Sequence, residues 1–426
     1  MPSDPREIRG QHIAETCKLT RLGNEWFVPA QTGSGRYVVK PDPISPRCTC
    51  PDFELREMRC KHIYAVEYTV RQKANADGST TVTETLTVSA TVEKRTTYKQ
   101  DWPAYNAAQV NERRHFLSLL GDLCDTITEP APKDKSKGGR PAVPLRDAIY
   151  SACLKVYSLM SARRFSGELA EAHDAGYIAR LPHFNTVLNV FDREETTAVL
   201  KGMIETSALP LRAVETAFAV DSTGFATLRY AAWVDKKYGV TRKEACWVKA
   251  HISTGVKTNV IAAANIDHQD AADSPQLPGL VATTRKTFTV KEVSADKAYA
   301  GVANFAAVEK AGGQFFPAFK DNTTGAVGGA FEKAFHYFSF KRDEYLSHYH
   351  QRSNVEATFS MVKKKFGDAV KAKNELAQRN EVYAKFVCHN ICVLISEMYT
   401  MGIQAIFDRP AGCTNTLTAA QKPQEI

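Results

Sequence analysis

Cys48, Cys50, Cys60 and His62 fall within the stretch PRCTCPDFELREMRCKHIYAVEY, which runs from Pro46 to Tyr68. Such a set constrains folding more tightly than a hydrophobic pattern does, because its members must converge on one point. The spacing is Cys-x-Cys, nine residues, then Cys-x-His. Soft thiolates with one imidazole suit a tetrahedral Zn²⁺, and four protein ligands leave no open position, so the expected site is structural. Pro51 and Asp52 suit a turn that opens a short helix. Cys60 and His62 stand at the start of the apolar stretch His62-Ile63-Tyr64-Ala65-Val66. Upstream, Trp26-Phe27-Val28 and Tyr37-Val38-Val39 read as strands joined by a Gly33-Ser34-Gly35 turn. The alternative is two unrelated core thiols and a surface histidine. On the metal reading, zinc staples a small domain that buries too little surface to fold alone.

This stretch resembles a SWIM-type zinc finger, including its Cys60-Lys61-His62-Ile63 ending, over about residues 20 to 70. The resemblance implies a nucleic-acid or protein-binding module, here assigned to residues 1–72.

The rest of the chain needs more than one further core. At 426 residues it is too long for one ordinary domain, and a hydrophobic content of 43% is normal for folded protein. No apolar run reaches the roughly 18 residues of a membrane span, and the polar start MPSDPREIRGQ is unlike a signal peptide. Cys124, Cys153, Cys246, Cys388 and Cys392 lie among apolar residues and read as reduced core thiols. A cytoplasmic location follows as the expectation. Lysine plus arginine number 55 against 47 acidic residues, a mild bias compatible with a polyanionic partner.

Residues 73–103 hold a threonine-rich segment in which TVTETLTVSATV alternates, so they read as a linker or a hairpin. From 104 to 210 the patterning is helical, interrupted by a basic breaker over 130–141 that reads as a solvated linker or an arm touching phosphates. Ala104 to Thr126 carries Phe116, Leu117, Leu119, Leu120 and Leu123 on one side. SLMSARRFSGELAEAHDAGYI reads as one amphipathic helix, and Pro182-His183-Phe184-Asn185-Thr186 as a capped restart. This region, with Arg163 and Arg164, is the expected helical DNA-binding part.

The chemistry lies further on. In AFAVDSTGFAT, residues 217–227, an apolar strand delivers Asp221 and Gly224 permits a tight turn. In KEVSADKAYA, residues 291–300, a strand ends on Asp296 before a helix over 301–312. Carboxylates at the ends of buried strands are costly unless a cation pairs with them, and two so placed invite a divalent metal. On one helix with about 100° per residue, Tyr349, Arg352, Glu356 and Lys363 line a single stripe. Val355, Phe359, Val362 and Phe366 form an apolar stripe beside it. Glu356 then faces a cleft; the plain alternative is an amphipathic helix with an Arg352–Glu356 pair. Three carboxylates from two strand ends and a helix suit two Mg²⁺ or Mn²⁺ ions, which serve in-line phosphoryl transfer.

Together these segments resemble the DDE transposases of bacterial insertion sequences. Residues 349–363 match the signature Tyr-x2-Arg-x3-Glu-x6-Lys at every position, and Asp-Lys-Ala-Tyr at 296–299 is similar to the second-aspartate motif. The resemblance covers about residues 140 to 400 and implies a ribonuclease-H-like core. It also implies that Asp221, Asp296 and Glu356 are the metal ligands and that Tyr349, Arg352 and Lys363 contact DNA phosphates near the cut. A zinc module on such a core is an added element.

Other clusters read as structural. Asp267, His268, Asp270 and Asp273 suit a solvated loop with capping aspartates. His348 and His350 read as polar neighbours of the signature, and Lys364 and Lys365 as a solvated basic face. The apolar run 383–399, with Cys388, His389 and Cys392, reads as a core helix covering the sheet. The tail, 401–426, is polar.

The expected fold is α/β: a ribonuclease-H-like mixed sheet flanked by helices (211–400), preceded by an all-helical region and a small zinc-binding α+β module. The expected function is metal-dependent cleavage at element ends and strand transfer, with Mg²⁺ or Mn²⁺ at the carboxylates and a structural Zn²⁺. The expected partners are double-stranded DNA, at element ends and target, and further copies of the chain in a dimer or higher assembly. A transposase-derived regulator and a nuclease without strand transfer are the alternatives.

Overall fold

The computed structural model describes residues 4–31, 35–42, 44–76 (backbone alone over 70–76), 101–130, 142–227, 247–320, 323–325 and 327–407. Most of the 73–103 segment, the 131–141 part of the basic arm, Cys246, residues 33 and 34 of the first turn, and the tail past 407 lie outside these. Two compact units divide the chain, Met1–Lys99 and Gln100–Ile426.

In the first unit α1 (Pro5–Thr16) starts at Asp4, whose side chain accepts from the Arg6 amide. An antiparallel meander follows, β1 (Thr20–Leu22), β2 (Glu25–Pro29), β3 (Arg36–Lys40) and β4 (Arg47–Cys48). The expected strands pair with Trp26 opposite Val39 and Val28 opposite Tyr37. α2 (Pro51–Arg56) and α3 (Lys61–Ala76) complete the unit. The polar sequence of α1 gives no helical stripe, yet the helix packs on α3. Gly10 makes this possible: a Cβ there would stand 2.4 Å from Tyr64 Cβ and 2.8 Å from the Lys61 carbonyl oxygen.

The second unit opens with helices α4 (Trp102–Cys124), α5 (Leu145–Ser158), α6 (Phe165–Asp174), α7 (Phe184–Val190) and α8 (Glu194–Ala208). The restart at His183 is as expected, its Nδ1 accepting from the Asn185 amide. The stretch 158–178, expected as one helix, is instead broken. Leu159 adopts a left-handed conformation at φ 58° that ends α5, and α6 begins only at Phe165.

The sheet comprises β5 (Ala217–Ala226), β6 (Trp247–Gly255), β7 (Ile261–His268), β8 (Glu292–Ala295) and β9 (Gln314–Pro317). Its order is β7-β6-β5-β8-β9, the first three antiparallel and the last three parallel, a ribonuclease-H-like mixed sheet. α9 (Leu277–Thr287) crosses between β7 and β8, and α10 (Val302–Lys310) between β8 and β9. Then come α11 (Gly329–Phe340), α12 (Arg342–Tyr349), a single 3-10 turn at His350–Arg352, α13 (Ser353–Phe366) and α14 (Glu375–Thr400).

Strand alternation sorts the helices by face. Thr254 meets Thr358 of α13 at 3.2 Å, whereas Ser253 accepts from Thr284 of α9 at 3.0 Å. α14 is buried nearly all round and covers the sheet, as its composition predicts. Its Asn390 accepts from the Ile261 amide and donates to the Ile261 carbonyl, both at 2.8 Å, satisfying the backbone of the edge strand β7. The α4–α8 helices and the sheet share one hydrophobic core. Among the described residues no helix is long and apolar enough to cross a membrane.

Two further sequence expectations fail around the sheet and the signature. Gly224 makes no turn, since β5 runs unbroken to Ala226 and pairs Gly224 with Lys249. The glycine instead admits Trp247, whose Cδ1 would lie 2.8 Å from a Cβ. The four signature residues do not share one helix either: Tyr349 ends α12, Arg352 lies in the 3-10 turn, and only Glu356 and Lys363 belong to α13.

Candidate functional site

β5 and β8 run parallel in a register that ends with Val220 opposite Ala295. The next residues are Asp221 and Asp296, so the two aspartates emerge side by side where the parallel pair ends. Asp221 is thus at the end of that pairing although it lies mid-strand against β6. A crevice at the carboxyl end of parallel strands is the usual ligand position in an open α/β sheet. One oxygen of each carboxylate is fixed by backbone. Asp221 Oδ1 accepts from the Ser222 amide and Asp296 Oδ1 from the Ala298 amide, each at 2.8 Å.

α13 lies over the face of β5 that carries Asp221 and Thr223, which brings the third carboxylate in. Arg352 joins the set, Nη1 donating to Asp221 Oδ2 at 3.1 Å and Nη2 to Glu356 Oε1 at 2.7 Å. Burial pushes the Asp221 carboxyl above its usual range, and the negative charges of Asp296 and Glu356 add to that, against the Ser222 amide and Arg352. The three acids therefore feel one another, with the Arg352 guanidinium among them. Lys363 Nζ donates to Thr223 Oγ1 at 2.7 Å and lies 5.3 Å over the Phe225 ring. Burial holds this lysine below its ordinary value, with Asp368 opposing. Tyr349 packs half-buried against the core. His348 is a polar neighbour, its Nδ1 2.9 Å from Glu292 Oε2 and its ring stacked on Phe316. Lys364 is exposed, but Lys365 is not part of a solvated face: it pairs with Glu112 of α4.

The acidic loop after β7 divides in two. His268 and Asp270 pair at 3.1 Å in solvent, as expected. Asp267 departs from the solvated-loop expectation: it lies within β7, half-buried, and accepts from Asn265 and Gln276. Asp273 departs from the solvated-loop expectation, because it points inward and meets Lys249 Nζ at 2.8 Å and His251 Nδ1 at 3.5 Å. Burial opposes its charge, yet Lys249 and Ser222 outweigh that and hold it below the ordinary carboxylate value. Ser222 follows Asp221, so alternation turns it to the opposite face of β5. This polar cluster therefore stands on the face of β5 opposite Asp221. The pairing of Lys249 on β6 with a loop residue is a tertiary fact that no local pattern carries.

In the first unit Cys48 ends β4, Cys50 caps α2, Cys60 precedes α3 and His62 lies in its first turn. One ligand atom from each falls within 4.8 Å of the others, all four buried. His62 Nδ1 stands 3.9 Å from both Cys48 Sγ and Cys60 Sγ. Tetrahedral zinc with bonds of about 2.3 Å to sulfur and 2.0 Å to nitrogen puts such atoms about 3.6 Å apart, so the donor set fits. Cys60 is drawn down to about 4, first by the Cys48 thiol and also by His62, and Cys48 is pushed up in return. A crowded thiol group of this kind readily gives up protons to a metal.

Residues 212–391 match the model of the transposase DDE domain. The chain carries a DDE transposase domain. Its matched span begins just before β5 and ends in α14, so it contains Asp221, Asp296, Glu356 and the whole Tyr349–Lys363 signature. Residues 37–71 match the SWIM zinc finger, which contains the complete Cys48, Cys50, Cys60 and His62 set. No solved structure matches the chain.

Proposed function

We propose that the chain is a DNA transposase in which Asp221, Asp296 and Glu356 hold Mg²⁺ or Mn²⁺ for end cleavage and strand transfer. The observation that carries this reading is the apposition of the two aspartates, one carboxyl oxygen of each fixed by backbone, with Glu356 tied into the same group through Arg352. Hard carboxylate oxygens suit these ions, and a cluster of like charges around a half-buried aspartate demands a cation. Bound there, the metals activate the attacking oxygen and stabilise the leaving one. The chain's own part is orientation. The Ser222 and Ala298 amides aim the aspartates, and Thr223 anchors Lys363 beside the site. Tyr349, Arg352 and Lys363 contact DNA phosphates, and the 104–210 helices with the 130–141 arm extend that contact. The SWIM module, 1–72, carries one structural zinc and binds element ends. Two or more copies assemble on double-stranded DNA, in the cytoplasm.

Asp221→Asn, Asp296→Asn and Glu356→Gln each remove one charge and keep shape. Each should lower end cleavage by roughly 10³-fold, about 4 kcal/mol of barrier, while DNA binding survives. Labelled duplexes carrying the inverted repeats that flank the gene, incubated with Mg²⁺, provide the assay. A Glu356→Gln protein that cuts at the wild-type rate sinks the reading. Cleavage without joining to target DNA selects a nuclease instead.

A further inference from the structure

Arg352 occupies two of the three carboxylates assigned to the metal site, through its bonds to Asp221 Oδ2 and Glu356 Oε1. A guanidinium on those oxygens competes with a divalent ion for them, because like charges a few ångströms apart repel strongly in a half-buried crevice.

We propose that Arg352 is a placeholder cation that keeps the carboxylate site closed to metal until a DNA phosphate draws the guanidinium away. This rests on the reading of Asp221, Asp296 and Glu356 as metal ligands and adds an order to their loading. The residue is placed for such an exchange. It sits in the 3-10 turn between α12 and α13, not inside either helix. Its side chain is 24% exposed and that of Glu356 59%, so the pair opens on solvent rather than being sealed in the core. A guanidinium fork binds a phosphate as readily as a carboxylate, so one group serves both states. Lys363 does not share the role, because its ammonium is turned to Thr223. The consequence is economy of damage: metal-dependent cutting is suppressed in the free protein and enabled where DNA lies.

Mn²⁺ binding to the zinc-loaded full chain, read by electron paramagnetic resonance, tests this without turnover. In the absence of DNA, Arg352→Ala should bind Mn²⁺ roughly tenfold more tightly than the wild type, within the usual range of coupling between sites. With a blunt duplex bearing 5′-phosphates, and the duplex-alone titration subtracted, the two affinities should converge. Arg352→Gln should behave like Arg352→Ala and serves if the alanine variant misfolds. Lys363→Ala removes an equal charge nearby and should change Mn²⁺ affinity far less. Equal affinity of wild type and both arginine variants without DNA overturns the placeholder. So does an affinity gap that persists with DNA, or a Lys363→Ala gain as large as that of Arg352→Ala. Glu356→Gln separates the two levels of failure. If it weakens Mn²⁺ binding while the arginine variants are silent, only the placeholder is wrong. If it too is silent, the metal lies elsewhere, and the placeholder falls with the carboxylate reading.

Discussion

His389 is buried within α14, with Nε2 donating to the Asn259 carbonyl at 2.9 Å. Burial pulls its pKa from 6.5 to about 4. A histidine depressed in the folded state contributes stability that is fully present above 6.5 and is lost as pH falls towards 4. Over that interval the loss is about 3 kcal/mol at one proton per unfolding event. The stability difference between wild type and His389→Gln, from urea unfolding of the second unit, should therefore shrink from pH 7 to pH 4. A difference that stays constant would mean the ring is hydrated. The acidic loop makes a second comparison at this scale. Asp270→Asn should change stability by no more than about 0.5 kcal/mol, because its charge lies in solvent. Asp273→Asn should cost about 1–3 kcal/mol by leaving Lys249 and His251 poorly paired. Calorimetry showing equal melting temperatures would refute that contrast. The two aspartates are indistinguishable by local sequence. Motif spacing made Asp221, Asp296 and Glu356 legible as candidates, whereas Asp273 needed the fold to bring Lys249 against it.

At the scale of elements, legibility tracked hydrophobic periodicity. α4, α13 and α14 carry long apolar stripes and stand where those stripes put them. α1 carries none, and what holds it is close packing of Gly10 against Tyr64 and Lys61, which periodicity does not encode. The break after Ser158 was equally silent, since the polar run after it keeps a helical rhythm while Leu159 turns left-handed. Gly224 misled because glycine serves both turns and close approaches, and only the position of Trp247 distinguishes them. Gly10→Ala should push α1 off α3 and lower the stability of the first unit by about 1–3 kcal/mol, as overpacking does. No side chain of the Cys48, Cys50, Cys60 and His62 set is among the atoms the new methyl would meet first, so metal content should stay at one zinc per chain. A variant that melts like wild type would mean the two helices are not packed this closely in solution.

For the whole molecule the decisive question is what the first unit adds to a transposase domain that has its own core. The second unit has a continuous hydrophobic cluster built from its own residues. The first holds a small cluster of which three members, Cys48, Cys50 and Cys60, belong to the Cys/His set that fits zinc. Removing the metal should therefore unfold the first unit and spare the second. Cys60→Ser, or a strong chelator, should abolish the early melting transition and leave the later one in place. Deleting residues 1–72 should do the same, and both should weaken binding to element ends while a pre-nicked substrate is still joined. If the first unit neutralises DNA phosphates, the plot of log K against log salt should become shallower by about 0.9 for each phosphate that the truncated chain no longer neutralises. A module that serves protein–protein assembly instead would change the salt slope little and lower the stoichiometry of the DNA complex. Equal end-binding and equal salt slopes in the full and truncated chains, with stoichiometry unchanged, would leave the zinc module without a role in DNA capture.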